Sequence, residues 1–120
     1  MNHVATQHAY MVEVLVKSGD TIREEVTGDE MHLIHMMMGI TGEAGELLDA
    51  IKKHVIYRKP LDRENAIEEL GDIEFYLEGL RQGLDISRDL TLQANQEKLS
   101  RRYEGLKYSD AAAKNRADKA

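Results

Sequence analysis

At 120 residues, 42% of them hydrophobic, the chain has the size and composition of one globular domain, small enough to lean on oligomerisation for part of its core. It has no cysteine, which excludes disulfides and thiolate metal sites. Its formal net charge of −6 argues against general nucleic-acid binding, because a phosphate backbone wants a basic face. No apolar run approaches the ~20 residues of a membrane helix, and Met1-Asn2-His3-Val4 does not open like a secretory leader. The expectation is a cytoplasmic protein with neither a membrane nor a nucleic-acid partner. An acidic protein can still bind a polyphosphate where a metal cation supplies the positive charge.

With a single proline, no linker-like stretch and no strand alternation of useful length, the chain reads as all-α, a single domain over 1–120. Val4 to Lys17 predicts a first helix, ended by Ser18-Gly19-Asp20, with a polar connection from there to Gly28. Asp29 is positioned to cap a long second helix reaching Tyr57, with Ile34, Met37, Met38, Ala44, Leu48, Ile51 and Val55 as its apolar positions. Arg58-Lys59-Pro60-Leu61 is a turn, because the residue before proline resists helical backbone. Asp62 then caps a third helix with the stripe Ile67, Leu70, Ile73, Leu77 and Leu80, ending near Gly83. A fourth helix starts at Ser87 or Asp89 and carries Leu92, Leu99, Tyr103 and Leu106 on one side. Asp110 to Lys119 is a short alanine-rich helix, or a tail that becomes helical on docking. The site helices span 28–106, and 107–120 is a tail expected to close over the site.

The chain has 22 acidic residues, so a carboxylate pair at i and i+3 is usually just a solvated face. Two pairs stand out by their neighbours. Glu43 and Glu46 lie among Gly39, Ile40, Gly42, Leu47 and Ala50, while Glu69 and Asp72 lie beside Ala66, Ile73 and Tyr76. Carboxylates at the edge of an apolar face are costly unless paired or metal-bound. The i, i+3 spacing puts two carboxylates on one helical face with β-carbons about 5–6 Å apart. The short Arg58–Leu61 turn makes the second and third helices antiparallel neighbours, so the pairs can converge. Gly39, Gly42 and Gly45 recur every three residues within one helix, where each costs about 1 kcal/mol relative to alanine. Together with Gly71, they suggest close approach of a helix or a ligand; a kinked helix is the alternative. Four carboxylates without cysteine make a hard oxygen site suited to Mg²⁺, with Mn²⁺ able to substitute. Glu-x-x-His, which a four-helix di-iron site would want, occurs nowhere.

Thr41-Gly-Glu-Ala-Gly-Glu-Leu-Leu-Asp49 followed by Glu68-Glu-Leu-Gly-Asp-Ile73 resembles the Glu-x-x-Glu … Glu-x-x-Asp signature of the MazG-like all-α NTP pyrophosphatases, and the tail from Tyr108 is similar to tails of phage-type members. The resemblance implies an antiparallel helical bundle completed by oligomerisation. It implies that Glu43, Glu46, Glu69 and Asp72 form the catalytic metal site, and that water attacks the α-phosphorus of a nucleoside triphosphate to give the monophosphate and pyrophosphate. Some relatives carry another glutamate just before the first signature Glu, proposed as the base; here Gly42 stands there, and Glu43 or Glu46 is left for the role. Asn95, Lys98 and Arg102, one face of the fourth helix, resemble the family's phosphate ligands, and Arg116 and Lys119 of the tail are two further candidate cations. On spacing alone such a face is more often a solvated basic one.

Tyr76 resembles an aromatic that packs on the base or sugar in dCTP-type relatives; a core or interface tyrosine is the equal alternative. His32 and His35 lie on the face of Glu43 and Glu46, about 16 Å away, within reach of a bound base, although interface or core positions are the commoner fate of such histidines. Met36-Met37-Met38 reads as core. The apolar faces around Met36–Ile40 and Leu77–Leu84 lead to the expectation of a homodimer or homotetramer. Phage-type relatives tilt the substrate toward purine deoxynucleotides, dGTP or dATP. The reading from a different class is a non-catalytic helical adaptor that binds nucleotide or metal.

Overall fold

The computed structural model describes residues 3–119, and among them every regular element is helical. The chain divides into two units, residues 1–31 and 32–120. In the first unit, α1 (His3–Leu15) precedes α2 (Gly19–Glu25). The second of these was expected to be a polar connection. Instead Ser18 is an N-cap whose hydroxyl accepts from the Thr21 N–H, and Lys17 pairs with Glu25 across the short helix. Neither helix buries a residue.

The long helix α3 covers Gly28–Val55. Its start is fixed by Thr27 rather than by Asp29. The Thr27 hydroxyl accepts from the Glu30 N–H at 3.1 Å, and the Glu30 carboxylate accepts from the Thr27 N–H at 2.9 Å. This is a reciprocal capping box. Hydrogen bonding to Thr27 also holds the Glu30 carboxyl below the usual range.

After α3 the chain reverses as expected. Arg58 adopts a left-handed backbone (φ 57°), the His54 Nδ1–H donates to the Lys59 carbonyl at 2.7 Å, and the Asp62 carboxylate accepts from the Asn65 N–H. The following helix, α4 (Arg63–Leu84), returns antiparallel to α3, and three contacts fix its register. A Cβ at Gly39 would press against the Tyr76 ring, one at Gly79 would strike the Met36 sulfur, and one at Gly83 would meet His32 and Leu33 at 2.8 Å. Glycine at these points lets the two backbones come close enough for large side chains to cross the seam. Continued by one and then two turns, this register sets Glu43 opposite Asp72 and Glu46 opposite Glu69.

A left-handed Asp85 ends α4, and the Ser87 hydroxyl caps α5 (Arg88–Arg102) by accepting from the Leu90 N–H at 3.0 Å. Beyond α5 come a 3₁₀ turn (Glu104–Leu106), α6 (Asp110–Asn115, capped by Ser109) and a last 3₁₀ turn (Ala117–Lys119), all packed back on α5. Leu106, expected on the fourth helix's stripe, lies beyond its end in that first 3₁₀ turn.

Among the described residues only Met36 (6% exposed) and Glu69 (7% exposed) are buried. The expected α3 stripe of Ile34, Met37, Met38, Ala44, Leu48, Ile51 and Val55 is exposed, as are Ile67 and Leu70 of α4. Of the three consecutive methionines only Met36 is core. The reason is that α3 is apolar on more than one face, and α4 takes the face of small residues and carboxylates.

Candidate metal centre

The seam between α3 and α4 brings the predicted carboxylates together. One oxygen from each of Glu43, Glu69 and Asp72 lies within 4.8 Å of the others, with Glu69 buried, Glu43 half-buried and Asp72 exposed. Glu46, itself exposed, joins them through Glu69. The Glu69 carboxyl is pushed up to about 7, first by its contact with Glu43, then by burial and by Glu46. Like charges in one partly dry site cannot all ionise freely, so the group holds a proton near neutrality. Oε2 of Glu43 and Oε2 of Glu69 are buried with no hydrogen-bond partner. Such orphaned acceptors are uncommon in folded proteins. An oxygen-liganded divalent cation satisfies both oxygens and the surplus charge at once, so the residues present fit a metal of this kind.

Further along the same seam lie the residues singled out for the base. Through Nε2–H, His32 donates to the Gly79 carbonyl at 2.8 Å, which makes it a strut between the helices. The His35 ring stands 6.3 Å from that of Tyr76, which packs edge-on to Phe75 and covers Gly39. Gly39 therefore matches the expected close approach. At Gly42, Gly45 and Gly71 no helix among the described residues comes close, a Cβ at each meeting nothing within 4 Å.

The basic candidates are not part of the carboxylate group. On α5, Asn95 is exposed and Lys98 half-buried. Arg102 is already engaged: its Nε donates to Asp118 Oδ1 at 2.9 Å and its Nη2 to Oδ2 at 3.3 Å. Arg116 sits in the left-handed cap of α6, and Lys119 in the last 3₁₀ turn. Asp118 was not singled out from the sequence. It is one acid in a mixed-charge tail, and only the chain reversal at Arg116 brings it to Arg102.

The MazG nucleotide pyrophosphohydrolase domain model matches residues 32–106, which covers α3 from its first seam residue through α5. The chain belongs to this family. Family membership carries the coarse activity, hydrolysis of a nucleotide, and agrees with the all-helical fold. No curated protein and no solved structure matches the chain. No helix among the described residues is long and apolar enough to cross a membrane.

Proposed function

We propose that the protein is a Mg²⁺-dependent nucleoside triphosphate pyrophosphohydrolase that releases the monophosphate and pyrophosphate, with dGTP or dATP as the favoured substrates. The observation that carries this reading is the carboxylate cluster in which two buried oxygens lack any partner. Glu43, Glu46, Glu69 and Asp72 are the residues to hold the metal. Bound there, Mg²⁺ would neutralise phosphate charge and make water more acidic.

The chain's own residues have distinct parts in the reaction. The water oxygen attacks the α-phosphorus, the bond from that phosphorus to the bridging oxygen breaks, and pyrophosphate leaves with the electron pair. A carboxylate of the cluster takes the water proton; Glu43 and Glu46 are the two candidates. In this reading Asn95, Lys98 and Arg102, with Arg116 and Lys119 of the tail, serve as phosphate ligands, and His32, His35 and Tyr76 serve the sugar and base. The apolar outer face of α3 supports assembly into a homodimer or homotetramer in the cytoplasm.

The test is pyrophosphate release from a panel of common NTPs and dNTPs with and without Mg²⁺. Release confined to the Mg²⁺ samples and fastest with purine deoxynucleotides is expected. Nucleotide binding without release would instead make the protein a helical adaptor.

A further inference from the structure

The tail offers Arg102 a ligand of its own. Asp118 grips the guanidinium at two points, and its side chain is only 2% exposed. In the other ion pairs among the described residues at least one partner is more than half exposed. The pairing holds Asp118 below the usual carboxylate range, Arg102 being the first cause.

Local structure delivers this carboxylate. Ser109 caps α6, left-handed Arg116 ends it with an N–H to the Ala112 carbonyl, and the Lys119 N–H to Arg116 carbonyl bond closes the last turn. The reversal at Arg116 returns Asp118 to the C-terminal end of α5. A carboxylate and a phosphate present the same pair of oxygens to a guanidinium fork.

We propose that Asp118 is an internal stand-in for phosphate. It occupies Arg102 in the nucleotide-free protein, and the tail from Ser109 onward is released from α5 when a polyphosphate takes over the fork. This rests on the reading of Arg102 as a phosphate ligand. A latch closed for about nine-tenths of the time weakens apparent polyphosphate affinity about tenfold.

The test uses the full-length protein with inorganic tripolyphosphate and Mg²⁺, so that no turnover is needed. Hydrogen exchange of the amides from Ala111 to Lys119 is followed alongside calorimetric binding. In the native chain, tripolyphosphate should speed tail exchange. Asp118→Asn, which keeps shape and removes charge, should show fast tail exchange from the outset and about tenfold tighter binding. The proposal is overturned by unchanged tail exchange on addition of tripolyphosphate, by equal or weaker binding in Asp118→Asn, or by no binding to either protein. Gained affinity in Asp118→Asn without hydrolysis of any nucleotide would keep the latch and reject the hydrolase. Hydrolysis with no gain in affinity would do the reverse.

Discussion

Along α3, the side that meets α4 carries Gly39, Glu43, Glu46 and Ala50 around one buried methionine, while another side exposes Ile34, Met37, Met38 and Leu48 to water. A stand-alone domain is ordinarily arranged the other way, with its apolar side chains inside. Here the enclosed face, the one that meets α4, holds converging carboxylates, and the open face holds exposed apolar side chains. The two faces carry the two parts of the proposed function that are to be tested: a cation for the first and a second copy of the chain for the second. A shallow apolar groove lined by Leu33, Ile34, Met37, Met38, Thr41 and Gly42 marks where the open face begins.

The largest effect is expected on the enclosed face. Glu43→Gln, Glu69→Gln and Asp72→Asn should each lower pyrophosphate release by on the order of 10²-fold or more, since several kcal/mol of charge stabilisation leave with the metal. Helicity by circular dichroism should stay near that of the native chain, because the shape is kept. Chelation of the metal should act in the same direction. Unaltered turnover in two of the three variants would mean that the cluster is not the site.

Next in size is the open face. Met38 and Leu48 are each 68% exposed in the protomer. If a second copy covers them, Met38→Asp places a charge in an apolar contact at a cost of several kcal/mol, and sedimentation should shift from dimer or tetramer toward monomer. A monomeric native protein at micromolar concentration would remove the second copy from the account.

The enclosed face also sets a pH dependence that the open face does not share. In the metal-free protein, Glu69 binds its proton up to about pH 7, against an ordinary value of 4.5. Between these values the folded state holds more protons than the unfolded state, so stability falls as pH rises through the window and is lowest above it. Metal-free melting should therefore drop from acid toward neutral pH by more in the native chain than in Glu69→Gln, and Mg²⁺ should erase the difference. Equal pH profiles of the two proteins without metal would show that Glu69 is not under strain.

Much of this arrangement was legible in the sequence, and what was not has physical reasons. The order of the helices from Gly28 onward, the Pro60 turn, the Asp62 and Ser87 caps and the convergence of the carboxylates all follow from local chemistry and helical spacing. The choice of buried face did not. Periodicity finds the most apolar stripe, but α4 packs where Gly39, Gly79 and Gly83 permit close approach. The short α2 carries no stripe long enough to announce it, and Ser18, which follows α1, caps it. At the start of α3 two caps compete in the sequence, Asp29 and the Thr-x-x-Glu of Thr27 and Glu30, and the second satisfies two backbone groups at once. The pairing of Arg102 with Asp118 spans a chain reversal, and no spacing rule reaches across one.

The finest test of the two faces uses their glycines. Gly39 lies under the Tyr76 ring, whereas Gly45 has open space around its missing Cβ. Alanine at either position gains about 1 kcal/mol in helix propensity. At Gly39 that gain is opposed by overpacking, typically about 1–3 kcal/mol, because a ring anchored on a helix cannot swing aside as a flexible chain end would. Gly39→Ala should therefore leave stability unchanged or lower it by about 2 kcal/mol, whereas Gly45→Ala should raise it by about 1 kcal/mol if nothing approaches that side. Denaturant melts of the two variants at equal protein concentration measure the difference. A loss in Gly45→Ala that fades as the protein is diluted to monomers would show a second copy packed against this glycine, and a loss that appears only with bound nucleotide would show the ligand there. A gain in Gly39→Ala as large as in Gly45→Ala would mean that Tyr76 does not hold the seam.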